Sequence, residues 1–315
     1  MAPKIEVLTG IPTCELGEAP IWDVKTESLY FTDLPATAGH LIKYTPKTGS
    51  SIKCTLGKHV SFIIPIKGRQ DEFVLGSNLE ILHVKWDTES NKILEQKVLA
   101  KLTDELPGGS VNDAKCDPKG RLWFGTYGEK FAKGAGNIYS FTNSTGLVKH
   151  VPKINLSNGL DWSPDGKKFY HIDTADKTVS QYDFDLKSGS IKFEKVLIDF
   201  TKENIPGLPD GMTVDTDGNI WVASVCGGRV IQFDHSSGKI LQNIELEEAS
   251  QATSVAFGGP QMDELYVVSG NFPTIPSTEF VTFPQLPPGS NGGRTFRITG
   301  TGSKGIPDDL FDFDL

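Results

Sequence analysis

Four oxygen-bearing side chains occupy the same position relative to predicted β-strands in this chain of 315 residues. Each precedes the aromatic-rich centre of a strand by 11 or 12 positions, and two serines hold the same position in weaker repeats. The six pairs of polar residue and strand centre are Glu18 and Tyr30, Ser61 and Phe73, Asn112 and Trp123, Asn158 and Tyr170, Asp210 and Trp221, and Ser254 and Tyr266. Equal spacing in equivalent repeats implies equal height, so two carboxylates and two carboxamides are predicted to converge.

A convergent set of this kind predicts a metal site. Carboxylate and carboxamide oxygens are hard ligands, which calcium prefers, followed by magnesium and manganese. No histidine holds the shared position and no HExxH or CxxC motif occurs, so zinc is the last of the alternatives. We therefore expect one divalent cation on Glu18, Asn158 and Asp210, with Asn112 as a further candidate.

The competing interpretation is that these residues only form turns. Asn158-Gly159 and Asp210-Gly211 are pairs that commonly do so. However, the same repeats contain separate turn sequences a few residues later, at 164–166 and 215–218. Turns alone would not require one spacing in four repeats, which favours the metal site.

The elements that must position these residues form a radial repeat. The six strand centres are 43, 50, 47, 51 and 45 residues apart, a period typical of propeller blades. Short β-branched and aromatic runs between Asp-Gly or Ser-Gly turns indicate hairpins, and helical periodicity is scarce. The sequence predicts an all-β fold, a six-bladed β-propeller, as one domain over residues 1–315, although length alone would suggest two domains.

Both ends of the chain are predicted to take part in closing the ring. Residues 4–9 form a plausible strand before the first repeat, and residues 295–299 belong to the last repeat. Pairing these N- and C-terminal strands in one blade would leave no open edge. The acidic tail at 307–315 could either fray or pack on the outside.

Composition and charge narrow the classes of partner. The net charge of −9 is spread without a basic patch, which disfavours nucleic acid and anionic membrane surfaces as partners. The N-terminus has no apolar signal region and no long apolar run follows, so we expect a cytoplasmic protein. We also expect it to be a monomer. The four cysteines lack paired spacing and are expected to be buried thiols.

A hydrolase is the reaction class that fits the predicted site. The chain contains no GxSxG elbow, no phosphate-binding GxxxxGK[ST] loop and no dinucleotide fingerprint. Calcium acidifies water only weakly, so a carboxylate must accept the proton. Asp210 is the preferred base, and Glu18 is the alternative.

Six short motifs occur together in this chain: residues 17–20 (GEAP), 111–113 (VND), 157–162 (SNGLDW), 208–212 (LPDGM), 227–231 (GGRVI) and 253–259 (TSVAFGG). In combination they resemble the SMP-30/gluconolactonase family, in particular its regucalcin-like branch with its insect relatives. The resemblance implies a six-bladed propeller with one divalent ion on Glu18, Asn158 and Asp210, Asp210 also being the base. Asn112 matches an asparagine that contacts substrate or metal, and the implied activity is hydrolysis of a small-molecule lactone or ester.

The chain departs from this family at the position that recognises a sugar. Regucalcin-like members carry an arginine two residues before the asparagine, where this chain has Ser110, and their motif glycine is Ala114. Losing a guanidinium removes several directional donors, so we expect a less polar substrate. Tyr127 and Glu129 are further substrate-binding candidates.

An aromatic-containing insertion at 271–291 adds a second departure. It either lines a less polar mouth of the site or packs locally as a surface loop.

The function of the whole chain has two alternatives. One is a non-catalytic, calcium-binding regulatory propeller like regucalcin, and the other is a protein like the insect luciferin-regenerating enzyme. Lactone hydrolysis with metal added or chelated would distinguish an enzyme from a binding protein.

Overall fold

The β-branched and aromatic runs form twenty-four strands in a computed structural model that describes residues 2–34, 38–102, 106, 108–273, 275, 277–279 and 281–315. The first half contains β1 (Lys4–Val7), β2 (Gly17–Asp23), β3 (Ser28–Asp33), β4 (His40–Thr45), β5 (Ser50–Thr55), β6 (Phe62–Pro65), β7 (Glu72–Ser77), β8 (Glu80–Asp87), β9 (Lys92–Lys101), β10 (Ser110–Cys116), β11 (Leu122–Tyr127) and β12 (Gly136–Thr142). The second half contains β13 (Gly146–Ile154), β14 (Ser157–Trp162), β15 (Lys168–Asp173), β16 (Thr178–Asp185), β17 (Ser190–Asp199), β18 (Leu208–Val214), β19 (Ile220–Val225), β20 (Arg229–Phe233), β21 (Ile240–Glu245), β22 (Ala252–Gly258), β23 (Glu264–Ser269) and β24 (Phe296–Thr299). Within the described ranges, the sole helical element is a 3₁₀ turn at Glu129–Phe131.

The described strands form six antiparallel sheets of four strands each, which confirms the predicted six-bladed propeller. Five sheets run in chain order, β2 to β5, β6 to β9, β10 to β13, β14 to β17 and β18 to β21. The sixth has the order β1-β24-β23-β22. The strands β2, β6, β10, β14, β18 and β22 contact one another in a closed ring, so they are the inner strands around a central channel.

Burial decreases from the inner strand of each sheet to the outer one. All seven residues of β18 and of β22 are buried, whereas β9 and β17 consist mostly of exposed and half-buried residues. The aromatic residues predicted as strand centres lie on the second strands and are at most 3% exposed. They pack between neighbouring sheets: the rings of Tyr30 and Phe73 are 5.3 Å apart and those of Trp22 and Tyr266 are 5.5 Å apart.

The ring closes through the N-terminal strand, as predicted. β1 pairs antiparallel with β24 in register from Lys4 with Thr299 to Val7 with Phe296. Arg297 of β24 also contacts Glu6 of β1 at 2.7 Å. The last blade therefore combines strands from both ends of the chain and presents β1, not β24, as its outer edge.

The C-terminal tail packs against the propeller, which decides a point that the sequence left open. Its Asp308 contacts Lys115, near the end of β10, at 3.2 Å, and the Phe311 amide donates to the Pro65 carbonyl at the end of β6. Gly305 bridges to Asp215, just beyond β18. The tail thus crosses the channel where the inner strands end, and the Phe311 ring is fully buried there.

Two further predictions concern the thiols and membrane segments. Cys14, Cys54, Cys116 and Cys226 are unpaired and buried, as expected. Among the described residues, none of the helical structure is long and apolar enough to pass through a membrane.

Candidate active site

A β-bulge lies at the polar residue of most inner strands. The register with the second strand shifts between Glu18 and Ile21 in β2 and between Val111 and Ala114 in β10. Equivalent shifts occur at Ser157–Leu160, Pro209–Met212 and Ala252–Ser254. A β-bulge breaks the strand pairing locally and redirects a side chain. In these strands the bulge lies at the position that the sequence spacing singled out.

These bulged segments bring four predicted site residues into one cavity. Glu18, Asn112, Asn158 and Asp210 line a cavity of about 430 Å³ at the end of the channel where the inner strands begin. The volume lies within the range of small-molecule sites. The described structure therefore gathers the two carboxylates and two carboxamides that the sequence singled out.

The carboxylates of this cavity are buried close to like charges. Burial, then Asp210 and Asp113, raises the pKa of Glu18 well above its usual range. Burial and Asp113 do the same to the pKa of Asp210. Burial raises the pKa of Asp113 to about 7, an effect that the charge of Lys115 partly offsets. Such a cluster is stabilised either by protons or by a bound cation.

Glu18 also lacks a partner for one oxygen. Its Oε2 is buried and accepts no hydrogen bond from any residue that the structure describes. A buried carboxylate oxygen without a donor is costly, which fits a site for a cation. No group of three His, Cys, Asp or Glu side chains within the described ranges is placed to hold a metal. The candidate metal site has only two carboxylates, Glu18 and Asp210, and the carboxamide oxygens of Asn112 and Asn158 would supply further ligands.

The two carboxamides are oriented by specific hydrogen bonds. Asn158 Nδ2 donates to Thr174 Oγ1 at 2.8 Å, and Thr174 Oγ1 donates to the Pro209 carbonyl at 2.7 Å. Asn112 Nδ2 donates to the Ser157 carbonyl at 2.7 Å and to Asn158 Oδ1 at 3.0 Å. These bonds engage both amide nitrogens, so the carboxamide oxygens remain as potential ligands, although that of Asn158 also accepts the bond from Asn112.

The remaining predicted substrate residues lie in different places. Tyr127 lines the cavity, but Ser110 and Glu129 are not among its lining residues. Ser110 is buried and donates to the Asn78 carbonyl at 3.2 Å, directly opposite Tyr127 in the β10–β11 pair. Glu129 is exposed in the 3₁₀ turn. The substrate roles of these residues stay predictions.

Several lining residues were missed from the sequence. His59 lines the cavity, burial lowers its pKa, and its buried Nδ1 has no hydrogen-bond partner among the described residues. It lies two positions before Ser61, which holds the shared sequence position, so its place in the sequence could have indicated that it lies near the site. Thr174 comes from the loop after β15 and Phe131 from the 3₁₀ turn after β11, where no spacing rule applied.

The insertion at 271–291 reaches the same cavity. Phe272, Ile275, Thr278 and Phe283 are lining residues. Phe283 also packs on Phe131, so the segment both lines the mouth and makes local contacts. Thr274, Pro276 and Phe280, which belong to the predicted insertion, lie outside the described residues.

Comparison with known proteins gives consistent results. A family model described as "SMP-30/Gluconolactonase/LRE-like region" matches residues 16–271. Regucalcin of Gallus gallus is 33% identical over 311 residues, which are 96% of this chain and 97% of that protein. No part of the site geometry above depends on these similarities.

Two solved structures resemble the fold over nearly the whole chain. A luciferin-regenerating enzyme superposes with a TM-score of 0.89 at 33% identity, covering 99% of this chain and 100% of that one. A regucalcin of Agrobacterium tumefaciens, described as a calcium-binding protein, superposes with a TM-score of 0.80 at 27% identity. The superposition covers 97% of this chain and 96% of that one.

Proposed function

Since this chain belongs to the SMP-30/gluconolactonase/LRE-like family, we propose that it is a divalent-metal-dependent hydrolase of lactones or esters. Glu18, Asn158 and Asp210 would hold the cation, with calcium the preferred ion, and Asn112 and Tyr127 would contact the substrate. The observation that carries this proposal is the buried carboxylate pair, in which Glu18 keeps an oxygen without a donor among the described residues.

The chemistry assigned to the side chains is simple acyl transfer to water. When bound, the cation polarises the substrate carbonyl and lowers the cost of bringing two carboxylates together. Asp210 accepts a proton from water as the water oxygen bonds to the acyl carbon. The carbon–oxygen bond of the ester then breaks, and the leaving oxygen receives the proton, which yields a carboxylic acid and an alcohol. Glu18 is the alternative base on the same grounds.

The second candidate function is calcium binding without catalysis. It is supported by the solved Agrobacterium relative that is described as a calcium-binding protein. A purely regulatory propeller has no need of a cavity of about 430 Å³ beside its ion site. This favours the enzyme over the binding protein.

The test is hydrolysis of a lactone and ester panel by the purified protein after chelation and after return of calcium, magnesium, manganese or zinc. We expect loss of activity with chelator and recovery with at least one of these ions. Full activity in chelator would contradict the metal dependence. Ion binding with no hydrolysis of any panel member would favour the calcium-binding alternative.

A further inference from the structure

The cavity that holds the carboxylates is divided into a polar floor and an apolar wall. The floor consists of the four predicted site residues, Glu18, Asn112, Asn158 and Asp210. The lining also includes the aliphatic side chains of Leu16, Leu34, Leu156 and Val225. No Lys or Arg side chain is among the lining residues that the structure describes. Outside the floor the polar lining residues are His59, Tyr127, Thr174 and Thr278, so the rest of the described lining is apolar.

Aromatic side chains complete the wall. The Phe131 ring lies edge-on to Tyr127, with centroids 5.2 Å apart, and to Phe283, with centroids 6.1 Å apart. Phe272 lines the same mouth. Edge-to-face packing of this kind leaves ring faces and edges that accept another aromatic ring in the same geometries.

The backbone holds Phe131 in an unfavourable conformation. Lys130 and Phe131 have φ angles of 52° and 57°, in the left-handed region that bulky residues rarely adopt. Strain at such residues concentrates at ligand sites, where surrounding contacts enforce it. The chain thus maintains a strained turn at the place where it presents an aromatic ring to the cavity.

The segment that supplies Phe283 is anchored. Val281 and Phe283 are buried against Leu156, Leu208 and Val225 in one apolar cluster. The Val281 amide donates to Thr278 Oγ1 at 3.1 Å, and the Phe283 amide donates to Ser277 Oγ at 2.9 Å. These contacts position the aromatic wall relative to the propeller rather than leaving it as a solvent-exposed loop.

A polyol fits this cavity poorly. Beyond the floor, a sugar lactone would place most of its hydroxyl groups against aliphatic and aromatic side chains, and each buried hydroxyl without a partner is unfavourable. An apolar ring buries apolar surface against the same side chains and leaves no hydroxyl unpaired. The distribution of lining residues therefore discriminates between the two substrate types.

We infer that the natural substrate is a lactone or ester that carries an aryl group, with its carbonyl at the carboxylate floor and its ring in the wall of Tyr127, Phe131, Phe272 and Phe283. This inference rests on the proposed function for the reaction but on the wall residues for the substrate. Phe131 is the specificity-determining residue, because its ring contacts both Tyr127 and Phe283.

Turnover and binding test the inference separately. The kcat/KM of metal-loaded protein is measured for dihydrocoumarin, δ-valerolactone and gluconolactone. Calorimetry then measures binding of the lactam analogue of dihydrocoumarin, which resists hydrolysis, and of δ-valerolactam. We expect dihydrocoumarin to be the best substrate, and Phe131→Ala to lower its kcat/KM by roughly 10-fold while δ-valerolactone changes little.

Controls separate wall contacts from folding. Phe283→Ala should act like Phe131→Ala, and Phe193→Ala, on the outer strand β17 with an exposed ring, should have no effect. Unfolding temperatures identify a variant that fails to fold, and in that event Phe131→Leu replaces it. Aryl-lactam binding that Phe131→Ala weakens, without hydrolysis of any lactone, supports the aryl site and overturns the proposed reaction. Gluconolactone as the best substrate, with no aryl-lactam binding, overturns the inference and leaves the hydrolase intact.

Discussion

The Thr174 hydroxyl accepts a hydrogen bond from Asn158 Nδ2 at 2.8 Å, and this bond fixes the orientation of the Asn158 carboxamide. Thr174 in turn donates to the Pro209 carbonyl at 2.7 Å, one residue before Asp210. One side chain on the loop after β15 therefore orients the carboxamide of β14 and supports the bulge of β18. Residues that fix ligands in this way commonly matter nearly as much as the ligands themselves.

Replacing Thr174 with valine should weaken the metal site. Thr174→Val removes the acceptor for Asn158 Nδ2 and the donor for Pro209, so affinity for the cation should fall by about 10- to 100-fold. Titration of the chelated protein with calcium measures this. Thr126→Val is the matched control, because Thr126 is equally buried but bonds to the Asn137 backbone within its own blade. Equal affinities in both variants would contradict the orienting role.

Two substitutions of Asp210 should distinguish its role as a metal ligand from its role as the base. Asp210→Ala removes both a ligand and a base, so metal content and activity should both fall. Asp210→Asn keeps an oxygen while removing the basic carboxylate, and kcat should drop by about 100-fold or more with the ion retained. Metal analysis and lactone hydrolysis are compared with Asp217→Asn, an exposed aspartate near the end of the same strand. Activity retained in Asp210→Asn would transfer the base role to Glu18.

Acid should destabilise the fold through His171. This residue is buried, bonds to Ser157 Oγ at 2.7 Å, and burial lowers its pKa from 6.5 to about 3. Between pH 6.5 and 3 the unfolded chain binds a proton there that the folded chain does not, so stability falls as the pH falls. At about 1.4 kcal/mol per pH unit, one such group costs at most roughly 5 kcal/mol over that window.

The measurement is the free energy of unfolding in denaturant from pH 7 to pH 4. His171→Gln retains hydrogen-bonding groups but does not titrate, so its stability should depend less steeply on pH. His235→Gln changes an exposed histidine and serves as the control. Identical slopes for the parent and His171→Gln would rule out His171 as the source.

Phe311 should anchor the C-terminal tail. Its ring is fully buried, stacks on Phe141 at 6.1 Å and belongs to the apolar cluster of the first three blades. Phe311→Ala should destabilise the fold by about 3–5 kcal/mol, the usual cost of emptying a buried aromatic site. Chemical denaturation measures it against Phe193→Ala, whose ring is exposed. A loss below the control would mean that the tail is not bound in solution.

Introducing an arginine at Ser110 should shift substrate preference toward a polyol. One charged hydrogen bond of roughly 1.5–3 kcal/mol corresponds to about 10- to 100-fold in kcat/KM for gluconolactone over phenyl acetate. Ser110 is buried opposite Tyr127, so the unfolding temperature of Ser110→Arg is measured first. Ser110→Ala removes the hydroxyl without adding charge and is the control. Wild-type protein that already prefers gluconolactone would refute the specificity argument.

The propeller and its floor residues could be predicted because both follow from local repetition. Turns, strand patterns and a fixed offset recur along the chain, and Glu18, Asn158 and Asp210 share that offset. The bulges could not be read in the same way, since Ala19 adopts a φ of 47° that its residue type does not favour. The sequence repeat thus predicts the position of a side chain along its strand, but not the backbone conformation that determines its direction.

The wall and the tail depend on contacts between distant parts of the chain. Phe131 and Phe283 are 152 positions apart, as the numbering shows, yet their rings are in contact. Asp308 reaches Lys115 across the channel, and neither residue belongs to a repeated motif. Segments outside the repeat have no fixed offset from a strand, so the sequence does not predict where they lie.

The crossing of the channel by residues 305–311 has a kinetic consequence. The tail lies across the end where the inner strands finish, and the aromatic mouth lies at the other end, so we expect ligands to exchange with solvent through that mouth. Under the proposed function, an acid product leaving the floor would retrace the path by which the next ester arrives. Product release and substrate entry would then exclude each other, and the acid product would compete with the next substrate molecule for the same opening.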